Sequence, residues 1–479
     1  MQAARPLLSA AGLAALALCI ARAPLGLSAL LLAASVGSVA VLLRPTLGLY
    51  ALAFAVPFGS LRELSVGGLT LGASELLVLG VTAAWLIRQV AFRQVRIART
   101  RLSLALLVFI GTLCISLLPA AATVPAVKEL AKWVELLLVY TVVASAVRGA
   151  DERGVVAALL LAGLAQGLLG AYQFLFRVGP PGFLLMGRYM RAAGTFLQPN
   201  PYGGYLGLLL PLAYGIVLTT WRDAWQAIRA GRLGGAALWA LAAVAGCAML
   251  AGLVMSWSRG ALLGLVAGLG LVVLALGRRA WMLLAALALV LALVGPGALS
   301  LLPGDLLGRV TETVTYVNMP DLTAIEITDA NFAVIERAAH WLAAWRMFST
   351  RPWTGVGTGQ YATVYPSVAL ARWTDPLGHA HNYYLNILAE GGLLGLGAYL
   401  AFVGVALAGA WRAVRGSAGW ARGLAIGALG MMGHLLAHSA FDNLYVHEMY
   451  IVVAMLLGMI AQPGPGGAPD PTTHPESRR

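Results

Sequence analysis

The chain has 479 residues, 60% of them hydrophobic and only 11% charged, with a formal net charge of +13 and a mean hydropathy of +0.83. A soluble domain carries roughly 25% charged residues, so an ordinary soluble enzyme is excluded. The positive charge does not signal a nucleic-acid binder, because the arginines are spread over loops instead of clustering with aromatics on one soluble face.

Apolar runs recur along the chain at about the 20-residue length that spans a bilayer. Fourteen are expected, at 7–21, 25–43, 46–57, 73–90, 102–118, 126–147, 154–176, 199–219, 235–255, 260–277, 281–301, 383–410, 421–440 and 446–461. Segment 46–57 is short and 126–147 carries charges, so twelve spans are also consistent. The fold class is therefore all-α: a polytopic membrane bundle of twelve to fourteen helices. Arg5, an apolar stretch and Ala21-Arg22-Ala23 imitate a signal peptide with its cleavage site, but Pro24 and a second apolar run favour an uncleaved first helix.

Alternate loops hold Arg88, Arg93, Arg96, Arg99 and Arg101, then Arg148 and Arg153, Arg222, Arg229 and Arg232, Arg278 and Arg279, and Arg412, Arg415 and Arg422. With Arg44 and the arginines of both termini, 19 of the 32 basic residues fall on one side, against five acids. That side is expected to be cytoplasmic, with both termini on it. The other side has nearly balanced charge, so its arginines need a reason other than topology.

Four regions follow: helices over 1–301, a large external loop over 302–382, three more spans over 383–461, and a Pro/Gly-rich disordered cytoplasmic tail over 462–479. No inverted repeat or matched pair of broken helices, the marks of a transporter, is visible. Only two basic residues are lysines, Lys128 and Lys132, a bias that codon usage alone could produce. Cys19, Cys114 and Cys247 all lie in apolar runs, which argues against a disulfide framework or a cysteine metal site.

Chemistry concentrates on the outer side. Residues 331–349 set Ile335, Leu342, Trp345 and Phe348 on one helical stripe, as for an amphipathic helix lying on the outer interface, although a helix packed on the bundle fits equally. The run Gly355-Val-Gly357-Thr-Gly359 follows a helical pattern and lacks Gly-Lys-Ser/Thr, so it suits tight turns better than a nucleotide cradle. His379 and His381 stand where the loop enters a membrane helix, a half-wet position in which an imidazole can serve as a base near pH 7. Their spacing is a poor zinc pattern, so no metal or cofactor is expected; a purely structural histidine remains an alternative. Arg259 has no acid within ten residues on either side; ionisable groups at membrane depth usually mark function or pairing. Arg188, Arg191 and Asn200 come from another outward stretch. Guanidinium forks converging on the same face suit a pyrophosphate. No Asp-x-Asp pair is present, as a metal-dependent nucleotide-sugar transferase would require.

At these segments the chain resembles the superfamily of bacterial O-antigen ligases and polymerases. The resemblance rests on Arg191-Ala-Ala-Gly-Thr-Phe-Leu-Gln-Pro-Asn200, Ser258-Arg259-Gly260, Glu336-Arg337, Pro352 with Gly355-Val-Gly357, and His381-Asn-Tyr-Tyr-Leu385 followed by Glu390 and Gly392. His381 to Gly392 fits the family's His-x10-Gly pattern; His379 does not, because Glu390 stands in the place of its glycine. The resemblance implies a GT-C-like, inverting, metal-independent glycosyltransferase of the bacterial inner membrane with a periplasmic active site and no cofactor. Its donor would be a glycan on undecaprenyl pyrophosphate, and its acceptor a hydroxyl on lipid A–core or on another lipid-linked glycan. By carry-over, His381 is the general base, while Arg259 and Arg337 face the donor pyrophosphate. Arg191 is a weaker donor contact, and His379, Glu390 and Asp442 are supporting residues.

Ligation to lipid A–core is the preferred reading. The alternative is a polymerase joining lipid-linked repeat units. A protein O-oligosaccharyltransferase is disfavoured by the short tail after Gln462. A flippase for lipid-linked glycans would use the same arginines but need no base.

Overall fold

The computed structural model describes residues 24–59, 64–66, 69–93, 95–185, 187–277, 280–282, 327–328 and 331–461. Among them the fold is helical apart from two short antiparallel hairpins. Helices α1 (Leu25–Leu43) and α2 (Thr46–Phe58) lead to β1 (Leu64–Val66) and β2 (Leu69–Leu71). Then come α3 (Ala73–Ala91), α4 (Arg101–Ile115), α5 (Thr123–Ala146) and α6 (Ala150–Phe176), followed by β3 (Leu184–Leu185) and β4 (Tyr189–Met190). Next are α7 (Pro199–Arg229), α8 (Leu233–Met255) and α9 (Arg259–Leu276), then α10 (Phe332–Thr350) and the single turn α11 (Tyr361–Val364). Helices α12 (Tyr383–Gly416), α13 (Gly419–Ser439) and α14 (Met449–Ile460) complete the bundle.

Helix dominates because lipid cannot satisfy backbone N–H and C=O groups, which an α-helix satisfies internally. Six of the described helices are long and apolar enough to cross a membrane (α3, α6, α7, α8, α9 and α12), and α1, α2, α4 and α14 contain shorter apolar helical stretches. Twelve of the fourteen expected segments are helical. The segment at 7–21, all but the first two residues of 281–301, all of 302–326 and the 462–479 tail lie outside the described residues.

Contacts sort the loops into the two sets expected from charge. At one end Arg44 pairs with Asp151 at 2.7 Å, the Trp420 indole donates to Glu152, and the Arg422 guanidinium donates to the Ala275 carbonyl. At the other end Arg191 meets Ser256, Arg337 meets Phe441, and Ser116 meets Thr354.

The centre is built on α7, α9, α13 and α14, whose facing sides are buried. Glycines let these helices approach closely, as is common between membrane helices. A Cβ at Gly207 or Gly264 would run into the His434 ring, and one at Gly215 into the Gly423 carbonyl.

Two features of the outer side position the site. On α10 the buried residues are Ile335, Ala339, His340, Ala343, Ala344 and Met347, while Trp345 is 52% exposed. The helix packs on α12 through its small residues; of the Ile335/Leu342/Trp345/Phe348 stripe Ile335 is buried and Trp345 faces outward. Second, α12 is broken: Gly392 sits at φ 61°, ψ −160°, which divides it into a short outer piece and a long inner one.

The glycine loop 351–361 fills that break. Its Val356 and Gly357 N–H groups donate to the Ala389 and Glu390 carbonyls, and the Leu393 and Leu394 N–H groups donate back to Pro352 and Trp353. Gly355 (φ 67°) must be glycine for two reasons, since a Cβ there would also strike the Glu390 backbone. The turn and close-approach role expected for these glycines is therefore what the structure shows. The far side of the loop is stitched to the α4–α5 connection by Thr358 N–H to the Ser116 carbonyl and by Gln360, whose side chain pairs both ways with Ala122.

Candidate active site

The His motif is a tight loop capped onto α12. The Asn382 side chain accepts the Leu385 N–H at 3.1 Å and so caps the helix. The Asn386 carbonyl oxygen accepts the Ala380 N–H at 3.1 Å, and His379 Nδ1 accepts the His381 N–H at the same distance. These bonds hold His381 in the left-handed region at φ 49°, a conformation uncommon outside glycine. Its carbonyl accepts the Trp341 indole N–H from α10.

Opposite stands Asp442 in the α13–α14 turn. Its backbone N–H donates to the His438 carbonyl, and its Oδ1 accepts the Asn443 N–H. That same oxygen lies 3.4 Å from His381 Nδ1 and 3.8 Å from His379 Nε2. Burial acts to raise the Asp442 carboxyl, but the contact with His381 and the charges of His379, His381 and His438 outweigh it and hold it well below the usual carboxylate range. It is an anion at neutral pH. Both His381 ring nitrogens are buried and make no hydrogen bond among the described residues, so the Asp442 contact to Nδ1 is a close approach and not a formed bond.

Around this pair the environment keeps the other imidazoles neutral. Desolvation pushes His379 down to about 4, aided by His381, His340 and Lys132 against the pull of Asp442. His340 is likewise lowered to about 4, by burial first and His381 second. Its Nδ1 contacts the Tyr361 hydroxyl at 3.0 Å, its ring stacks on Tyr365, and it meets the His381 ring edge-on at 5.6 Å between centroids. On the preceding turn of α10, burial raises Glu336 above the ordinary carboxylate range while His381 and Arg337 pull it back.

The arginines come from three elements. Arg337 donates from Nε to the Phe441 carbonyl, next to Asp442, and from Nη1 to the Ala333 carbonyl. Arg259 is exposed at the first turn of α9, behind the Ser258 N-cap, whose side chain accepts the Ala261 N–H. Gly260 beside it lies against the His438 ring and Phe441, so this turn abuts the one carrying Asp442. Arg191 is half-buried and engaged elsewhere: Nε donates to the Ser256 carbonyl at 2.9 Å and Nη2 to Asn200 at 3.3 Å. It fixes the turn that presents Arg259.

Glu390 is buried in the outer piece of α12, where its carboxylate accepts the Gly359 and Tyr361 N–H groups. It seats the glycine loop and, through Tyr361, the His340 contact. The structure thus brings His381, His379 and Asp442 together, sets Arg337 and the Arg259 turn beside them, and gives Glu390 and Arg191 supporting positions.

Sequence reasoning gave no site role to His340, Glu336, His438 or Lys132. Lys132 pairs with Glu129 at 2.6 Å and sits 6.0 Å from the Tyr383 ring centre, one residue past the Asn382 cap. Charges inside the 126–147 apolar run were the available signal. Glu336 and His340 are spaced i, i+4, which puts them on one helix face. The ligand atoms of His379, His381 and Asp442 lie within 4.8 Å of one another, so a divalent cation is chemically possible there; the spacing of the histidines alone conceals this because the aspartate comes from another helix pair.

Residues 244–400 match the family model described as O-Antigen ligase. The stretch runs from α8 into α12 and includes Arg259, Arg337, His381, Glu390 and Gly392, while Arg191 and Asp442 lie outside it. A comparison with curated proteins gave no match. This match, laid over a helical membrane bundle, makes the chain similar to the O-antigen ligase family across residues 244–400.

Proposed function

We propose that the protein is an inverting, metal-independent glycosyltransferase that moves a glycan from undecaprenyl pyrophosphate to a hydroxyl of lipid A–core, at the periplasmic end of a multi-pass inner-membrane bundle. The observation that carries this reading is the buried His381–Asp442 pair flanked by Arg337 and the Arg259 turn. A carboxylate on Nδ1 selects the tautomer that leaves Nε2 as a lone-pair acceptor and stabilises the imidazolium once a proton is taken. The 3.4 Å separation is that of a site without substrate, in which such contacts commonly tighten only on binding.

In the reaction, the acceptor hydroxyl gives its proton to His381 Nε2 as its oxygen attacks the anomeric carbon. The bond from that carbon to the pyrophosphate oxygen breaks with inversion, and the lipid pyrophosphate leaves as an anion. Arg259 and Arg337 bear the growing negative charge, and Arg191 holds the Arg259 turn in place; guanidiniums suit this role because their fork matches phosphate oxygens.

The test is reconstitution of the purified protein with lipid-linked glycan and lipid A–core, with products read by gel and mass spectrometry for wild type, H381A and R259A. Glycan-capped lipid A–core from wild type alone is the expected result. Elongated lipid-linked chains would instead make the protein a polymerase, and turnover by H381A would remove the general-base role.

A further inference from the structure

At the end of the bundle opposite His381, a cavity of 540 Å³ opens between α4, α5, α12, α13 and α14. Its depth is apolar, lined by Leu102, Leu424 and Leu457, and its mouth carries two exposed guanidiniums, Arg101 and Arg412. Neither has an acidic partner among the described residues. The acid that lines the cavity, Glu152, is occupied by the Trp420 indole N–H at 2.6 Å. The hydroxyls of Thr100 and Tyr140, also at the wall, satisfy each other at 2.6 Å.

A cleft of this volume lies in the ordinary range for a bound small molecule. The mouth is on the arginine-rich side, which the charge distribution assigns to the cytoplasm. Basic openings between membrane helices on that side are suited to anionic headgroups. We propose that the cleft binds one anionic phospholipid of the cytoplasmic leaflet, with its phosphodiester between Arg101 and Arg412 and an acyl chain laid along Leu102, Leu424 and Leu457. The match is one of shape and charge together: cations at the interface and hydrocarbon beneath. A zwitterionic lipid would bring its own cation to the same mouth and gain less.

Gly409 allows an independent test. It lines the cleft, and a Cβ there meets nothing within 4 Å, so Gly409→Leu fills the space without disturbing the backbone. The full-length protein would be reconstituted into nanodiscs of phosphatidylcholine doped with phosphatidylglycerol, released gently, and examined by native mass spectrometry. Thermal unfolding with either lipid or with inorganic phosphate would be measured in parallel. Wild type is expected to retain one phosphatidylglycerol in preference to phosphatidylcholine. R101Q/R412Q and G409L should each lose that retention by about tenfold or more, the scale expected from removing two interfacial cations. Phosphate alone should give no stabilisation. Equal retention of phosphatidylcholine, undiminished retention by both variants, or protection by inorganic phosphate matching that of the lipid would overturn the assignment. The readout is independent of glycan transfer, so this proposal and the transferase reading can fail separately.

Discussion

Asp442 Oδ1 lies 3.4 Å from His381 Nδ1, and the two side chains come from different helix junctions, one entering α12 and one joining α13 to α14. The proposed base and the carboxylate beside it are therefore joined only by tertiary packing. Asp442→Asn keeps the shape but offers no anion to the imidazolium. It is expected to lower kcat by about a hundredfold with KM little changed, measured as initial rates of glycan transfer. A variant with wild-type kcat would remove Asp442 from the mechanism.

The same oxygen also faces His379, so the base reading and a metal reading use the same atoms. Transfer should proceed at an unchanged rate after dialysis against a strong chelator, and added Mn²⁺ or Zn²⁺ should not accelerate it. A chelated protein that lost activity and regained it with one cation would reassign His379, His381 and Asp442 as ligands.

His340 is 1% exposed and held near 4, below its unfolded value near 6.5. The unfolded chain therefore binds a proton that the folded chain does not. The contribution to stability is full above the unfolded value and is lost as pH falls from about 6.5 towards 4, on the order of 3 kcal/mol. Melting temperature in detergent should drop over that window. His340→Phe, which keeps the stack on Tyr365, should lessen the drop and leave the share carried by His379, also held near 4; an unchanged slope would show that His340 does not contribute.

Gly392 adopts φ 61°, and a Cβ there would run into the Trp353 backbone. Gly392→Ala should therefore destabilise the protein by about 2 kcal/mol and disturb the His motif with it. The check is a lowered melting temperature together with reduced transfer, whereas Gly397→Ala, in open space on the same helix, should change neither.

Much of the fold was legible because apolar periodicity and loop arginines report directly on lipid and on topology. The site was legible in part. His381, Arg259 and Arg337 stood out through motif and through isolated charge, but local patterning hides what is assembled across distance. Lys132 looked like compositional noise until α5 was set beside Tyr383. Asp442 was a weak candidate until the α13–α14 turn faced the His motif. On α10 the packing face is made of small residues, Ala339, Ala343 and Ala344, while Trp345 of the apolar stripe faces outward.

The bonds between residues 351–361 and the two pieces of α12 have a consequence for protein engineering. The Ala389 and Glu390 carbonyls are met by Val356 and Gly357 instead of by the next helical turn. The last part of the outer loop is thus half of a joint whose other half belongs to the membrane frame. Chimeras that exchange outer loops should cut before Arg351 and leave 351–394 as one cassette. A junction placed inside it would strand polar backbone within the bundle and detach His381 from its support.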